Sequence, residues 1–204
     1  NNSVSNSSNG TGMDANGVAV TADNATVLLH EIALNNIANN EGDGLQLNAI
    51  NGGTLSVTPN EDVNSNATLD QGEDTNEDLD NDGQLDPGED ANNDGFLNLG
   101  NGNGLLDRGI FNNAFTNNLQ NNFVTNSTNG TISLASATQN TVSSTTAGTG
   151  NIVFNVSSGN LTAAFAGNTI SGDPVNNMGS GAGILVNATG GTFDLTLGGP
   201  EASG

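Results

Sequence analysis

Asp78, Asp80 and Asp82 occupy alternate positions, Gly83 follows them, and Glu89 stands eleven residues after the first aspartate. Carboxylates at positions one, three and five of such a loop can converge on one ion. The glycine at position six allows the sharp turn this requires, and the glutamate at position twelve supplies two oxygens together. Gln84 offers its backbone carbonyl at position seven, and Asp86 acts at position nine directly or through water. The D-x-D-x-D-G-x5-E spacing is that of a calcium loop, and its hard oxygen donors select calcium over softer metals.

Degenerate copies abut this loop. Asp90, Asn92, Asp94, the Phe96 carbonyl and Asn98 repeat the spacing with Gly95 at the turn, but Asn101 at position twelve cannot give two carboxylate oxygens. Upstream, Asp62, Asn64, Asn66, the Thr68 carbonyl, Asp70 and Glu73 form another copy, with Ala67 in place of the turn glycine. A fourth, NGNGLLD, keeps Asn101, Asn103 and Asp107 and little else. Roughly two to four calcium ions are expected in the block.

These loops resemble those of dockerin and thrombospondin type 3 repeats more than those of a calcium sensor. The thrombospondin type 3 resemblance implies a chain wound around a row of ions with little helix or core. Dockerin-like helices between the loops are missing, because QGEDTNED and PGED are short and contain Gly and Pro. Residues 59–108 are therefore expected to act as a structural staple. Without calcium they form a charged disordered loop; with it they become compact, because an ion bound only by the folded form contributes folding free energy. A solvated acidic linker is the alternative.

The sequence around the block must carry it, and it is of a different kind. Fourteen of the 22 acidic residues lie from Glu61 to Asp107, and Arg108 is the only Lys or Arg in 204 residues. Only 33% of the chain is hydrophobic and 3% aromatic, Cys, Trp and Tyr are absent, and nearly a fifth is asparagine. Low hydrophobicity with high charge is the signature of disorder, yet the apolar residues recur in a fixed order. DGLQLNAINGGTLSVT (43–58) and AGILVNATGGTFDLTL (182–197) share a glycine, an apolar-x-apolar run, Asn-Ala, Gly-Gly and Thr-apolar-x-apolar. Weaker copies are NGVAVTADNATVLL (16–29), NGTISLASATQNTVSS (129–144) and NIVFNVSSGNLTAAF (151–165). A second module, one apolar residue among Asn, Gly or Asp, recurs as NNSVSN (1–6), NNIANN (35–40), NAFTNN (113–118) and NTISGD (168–173).

Each unit reads as strands of about three to five residues separated by turns whose Asn and Gly tolerate positive φ. Alternation puts Val18, Val20, Leu45, Leu47, Ile132, Leu134, Ile152, Phe154, Ile184 and Val186 on one face. Units roughly 20 to 32 residues apart suit one coil of a parallel β-solenoid, with small apolar residues stacked inside and asparagine ladders along the turns. A β-sandwich, the rival, would want longer strands and a larger aromatic core.

The N-x-I-x-x-N and Gly-apolar-x-apolar rhythms resemble the right-handed parallel β-helix repeats of bacterial surface proteins and polysaccharide lyases, over about residues 1–58 and 109–197. The expected fold is all-β: a parallel β-solenoid, a right-handed β-helix, formed by residues 1–58 and 109–204 and interrupted by the calcium-binding insertion 59–108. Joining Gly204 to Asn1 would restore the order of modules, and no capping helix is visible. An axial array of such units, continued either covalently or by head-to-tail stacking of copies, is the resulting expectation, with simply ragged ends as the alternative.

A formal charge of −21 excludes nucleic acid and anionic membrane as partners, and no stretch has the apolar length of a membrane span. The start at Asn1 suggests a processed chain, and calcium at millimolar levels points outside the cell or to its surface. Polysaccharide lyases of β-helix shape need a basic group, but this chain has no Lys. Glu41 and Asp43 are the nearest carboxylate pair outside the block, without an aromatic platform for a sugar, and His30 is the only imidazole. Arg108 is expected to neutralise Asp107 or the acidic loops. The expected function is non-enzymatic: a calcium-stabilised subunit of an extracellular fibre or surface layer. The alternative is a calcium-dependent adhesion or glycan-binding module of a larger surface protein, in which the insertion makes the contacts with surface glycans.

Overall fold

A computed structural model describes residues 2–5, 15–58, 61, 72–77, 79, 87–88, 100, 102, 107–145, 150–171 and 182–198. Seventeen strands lie among them. β1 (Ser3–Ser5) comes first, and a coil of β2 (Val18–Asp23), β3 (Thr26–Leu29), β4 (Glu31–Ala33) and β5 (Asn36–Ala38) follows. The second coil holds β6 (Leu45–Ile50), β7 (Thr54–Val57), β8 (Gly109–Phe111) and β9 (Ala114–Asn118). The third is β10 (Phe123–Thr128), β11 (Thr131–Thr138) and β12 (Thr141–Thr145), and the fourth β13 (Gly150–Ser157), β14 (Gly159–Ala166) and β15 (Thr169–Ser171). β16 (Ala182–Ala188) and β17 (Gly191–Leu197) close the series.

Every pairing among these seventeen strands is parallel. Each of the four coils gives a strand to each of three sheets, and β4 and β8 add a second strand to the third. The first runs β1-β5-β9-β12-β15, the second β2-β6-β10-β13-β16 and the third β3-β7-β11-β14-β17, with β8 pairing both β4 and β11. The fold is all-β, and its three stacked parallel sheets are compatible with a parallel β-helix. Several strands are longer than the sequence suggests, β11, β13 and β14 reaching eight residues. No helix of the described residues is long and apolar enough to cross a membrane.

Alternation along each strand becomes columns down the stack. In the second sheet Val18, Leu45, Phe123, Ile152 and Ile184 are in register, as are Val20, Leu47, Thr125, Phe154 and Val186. In the third, Val27, Leu55, Ile132, Leu161 and Phe193 align beside Leu29, Val57, Leu134, Ala163 and Leu195. The first sheet adds Val4, Ile37, Phe115, Val142 and Ile170. The ten residues expected on one face all lie in these inward columns, but on two sheets, with Ile132 and Leu134 on the third. Five of the seven phenylalanines form a connected chain through the middle, with ring centroids 5.5 to 6.4 Å apart.

The corners account for the asparagine content. Leu34, Asn112, Gln139 and Gly167 stack at one corner with φ of 57°, 48°, 56° and 59°; Asn24, Asn51, Asn129 and Ser158 stack at another with φ of 48°, 52°, 50° and 58°. Asparagine adopts this left-handed conformation more readily than most residues. Inside the corners the side-chain amides bond coil to coil. Asn35 donates to Asn113 (3.1 Å), Asn113 to Asn140 (3.0 Å) and Asn140 to Asn168 (3.0 Å). Asn40 donates to Asn118 (2.8 Å), Asn118 to Asn122 (2.7 Å) and Asn122 to Asn151 (2.9 Å). On the outer face of the second sheet Asn187 donates to Asn155, Asn155 to Asn126, Asn126 to Asn48 and Asn48 to the Thr21 hydroxyl. Buried amides are satisfied by one another, as the ladder expectation requires. Gly130 sits where a Cβ would come within 2.6 Å of the Ala49 carbonyl oxygen, so no side chain fits.

Thr125 interrupts this order. It is 0% exposed between Leu47 and Phe154, and its hydroxyl has no hydrogen-bond partner. Thr125→Val removes an unmet buried hydroxyl without changing the volume. It should raise stability by about 1–2 kcal/mol in a denaturant melt, because an unbonded buried hydroxyl costs that much.

Candidate functional site

The acidic block leaves the stack at one corner and returns to it there. Two residues separate Leu29 from Ile32 in the first coil, and two separate Leu134 from Ala137 in the third; fifty-two separate Val57 from Ile110 in the second. The register is the same on both sides, so about fifty residues are accommodated without disturbing the columns. Lengthening a surface loop adds little closure entropy, which permits this.

The root of the insertion is a small polar cluster. Thr58 N–H donates to the Leu29 carbonyl (3.1 Å), and the Thr58 hydroxyl and Gly109 N–H both donate to the His30 carbonyl (3.1 and 3.0 Å). Glu61 N–H donates to the Asp107 carbonyl (2.6 Å), and Asp107 N–H donates to Glu61 Oε2 (2.9 Å). His30 Nδ1 lies 2.8 Å from Asp107 Oδ2. Arg108 donates through Nε and Nη2 to the two oxygens of Glu31, each at 2.9 Å, and its guanidinium sits 5.4 Å from the centre of the Phe111 ring. The only arginine and the only histidine of the chain thus both tie the end of the insertion to the first coil.

Arg108 thus pairs with Glu31, a partner outside the block that the sequence did not suggest, and His30 lies beside Asp107. Pairing of β8 with β4 sets Gly109 opposite Glu31, so the residue before Gly109 reaches that carboxylate. A planar guanidinium then matches both oxygens at once. Arg108→Lys keeps the charge but loses the second hydrogen bond and the flat contact with Phe111. A loss of about 1 kcal/mol is expected, read as a lower melting midpoint.

Further out, the two halves of the block meet. Gly102 N–H donates to the carbonyl and Oδ1 of Asp74 (2.8 and 2.7 Å), and Gly100 N–H donates to the Thr75 carbonyl (3.2 Å). Together with the Glu61–Asp107 contacts, these bonds run antiparallel. Glu61, Glu73, Glu77 and Asp107 are 0%, 2%, 1% and 1% exposed. Buried carboxylate charge is costly unless it is countered. The block carries fourteen carboxylates, against one arginine and one histidine in the whole chain.

Of the predicted ligands, Glu73 lies among the described residues, deeply buried after Gly72. Asp78, Asp80, Asp82, Gln84, Asp86, Glu89, Asp90, Asn92, Asp94, Phe96, Asn98, Asp62, Asn64, Asn66, Thr68 and Asp70 lie outside them. No group of three or more His, Cys, Asp or Glu that could hold a metal occurs among the described residues. The buried Glu61 and Glu77 carry no loop signature, so sequence reasoning passed over them. Asp43 is engaged as a coil-to-coil tie, its Oδ1 accepting from the backbone and side-chain N–H groups of Asn121, both at 3.0 Å. No protein-family model, curated protein or solved structure matches this chain.

Proposed function

We propose that the protein is an extracellular structural subunit, a right-handed β-solenoid with an insertion stapled by two to four calcium ions, whose copies stack end to end in a fibre or surface layer. The observation that supports this reading is the repetition itself: inward apolar columns and asparagine ladders run in one register through the described coils, an architecture whose units bury their surfaces by stacking. The right hand follows from the strong preference of parallel crossovers for it. Calcium is supported by the ligand spacing at 78–89 and by buried carboxylates far in excess of the chain's own cations.

One observation favours the second reading, a calcium-dependent glycan-binding module. A groove of about 300 Å³ along the outside of one corner is lined by Leu34, Asn35, Asn36, Asn112, Asn113, Ala114 and Thr141. Amides of this kind can bond sugar hydroxyls. Negative-stain electron microscopy with calcium, and again after chelation, separates the readings. Filaments that fray on chelation support a calcium-stapled polymer with the insertion near the contact. Filaments that persist place assembly on the solenoid ends, and single particles in both conditions favour the glycan-binding module.

A further inference from the structure

We infer that the corner groove beside the insertion is a binding site for a neutral glycan, and that it holds this ligand without calcium. The inference rests on the glycan-binding reading above and names the ligand class of that groove. The outward column of the first sheet runs Ser3, Asn36, Ala114, Thr141 and Thr169. Ala114 has the smallest side chain in it, and the groove opens there. Asn36 and Thr141 form its two ends, and Leu34 and Asn112 form its corner side. Behind it Asn35 donates to Asn113 Oδ1 (3.1 Å) and Asn113 to the Ile32 carbonyl (2.6 Å), so the wall is fixed before any ligand arrives.

Asn36, Asn112 and Thr141 are exposed, and their side chains are bonded to none of the described residues. Each amide offers both donors and an acceptor, and so does the hydroxyl. A sugar hydroxyl likewise donates and accepts, and the aliphatic Leu34 and Ala114 suit the C–H face of a pyranose ring. Among the described residues no charged one lines the groove, so a bound cation or carboxylate would be desolvated without a counter-charge. The formal charge of −21 further disfavours uronic acids and sulfated sugars. The groove spans the first to the third coil, two strand spacings or about 9.6 Å, a length that takes two sugar rings in line with the stack. β8 alone separates it from the root of the insertion, so groove and acidic block share a coil but no described residue. Register through β4, β8 and β11 fixes the groove, and the ion is therefore not needed to form it.

The test titrates the isotope-labelled full chain by nuclear magnetic resonance, following the side-chain amide signals of Asn36 and Asn112. Cellotetraose, chitotetraose and mannotetraose are the neutral probes and tetragalacturonate the acidic one, each added with calcium and again with chelator. At least one neutral tetrasaccharide should move both signals, with the same affinity in the two conditions. A114Q fills the groove and should weaken that binding at least about tenfold. T141V removes one hydroxyl at constant volume and should weaken it about two- to tenfold. Full binding by both variants, or equal binding of tetragalacturonate, overturns the assignment. Movement of the two signals that is lost on chelation overturns the independence from calcium. Signals that move only within residues 59–108, and only with calcium, overturn the groove but leave the glycan-binding reading standing. No movement anywhere removes both.

Discussion

Phe154→Ala should cost about 3–5 kcal/mol, measured as the shift of the denaturant midpoint at constant slope. Phe154 is 0% exposed and touches Phe165 and Phe193 at 5.5 Å between ring centroids, and Phe123 at 6.4 Å. Its column neighbours are Thr125 and Val186, neither of which can grow into the space. The strands above and below are held at fixed spacing by backbone bonds and amide ladders, so the cavity cannot collapse, and the cost lies at the upper end for such a change. Aromatic contacts beyond simple burial add about 0.5–1.5 kcal/mol per pair. In a solenoid each coil is stabilised chiefly by its neighbours, so the loss should appear first as faster amide exchange in β16 and β17. Phe154→Leu, which fills most of the volume, should lose no more than about half as much. A midpoint shift worth under about 1 kcal/mol for the alanine variant would mean that the ring cluster is not the core.

The same columns show how far the sequence could be read. The modules at 1–6, 35–40, 113–118 and 168–173 all fall in the first sheet, with Val4, Ile37, Phe115 and Ile170 in one column. The fifth member, β12, was hidden because residues 129–144 read as one two-strand unit of the other module; they are instead β11 in the third sheet and β12 in the first. β10 gave no signal at all. Its inward residues after Phe123 are Thr125 and Ser127, and its outward Val124 is itself 4% exposed, so the alternation is inverted. Ser127 is satisfied in the interior by the carbonyls of Gly130 and Asn160, both at 2.9 Å, a bond that only the coiled backbone creates. In the candidate site the ligand spacing could be read because it is local. The root could not: His30 and Asp107, like Glu31 and Arg108, are 77 residues apart, and only strand register brings them together.

Removing calcium should have the largest effect, and it should fall on the insertion before the stack. A ligand that binds only the folded form stabilises it by about 2.7 kcal/mol per site at a hundred times its dissociation constant, so two ions contribute roughly twice that. With chelator, the block is left with fourteen carboxylates, Glu61, Glu73 and Glu77 among the buried ones, and no metal to offset their repulsion. The fifty-two residues between Val57 and Ile110 should then open, while the columns on either side keep their register through β4, β8 and β11. Calorimetry should resolve a low-temperature transition that vanishes at saturating calcium, while the far-ultraviolet strand signal changes little. Magnesium should not restore it, because a smaller ion with strict octahedral demands does not suit a loop built to give seven oxygens. Added salt should raise the low transition of the calcium-free protein, since screening eases like-charge repulsion. Glu89→Gln isolates the best loop: losing the bidentate carboxylate should weaken one site by at least about tenfold and leave the others, a step visible in a calcium titration. An unchanged titration would remove Glu89 from the ligand set, and a melting profile indifferent to chelation would remove the staple itself.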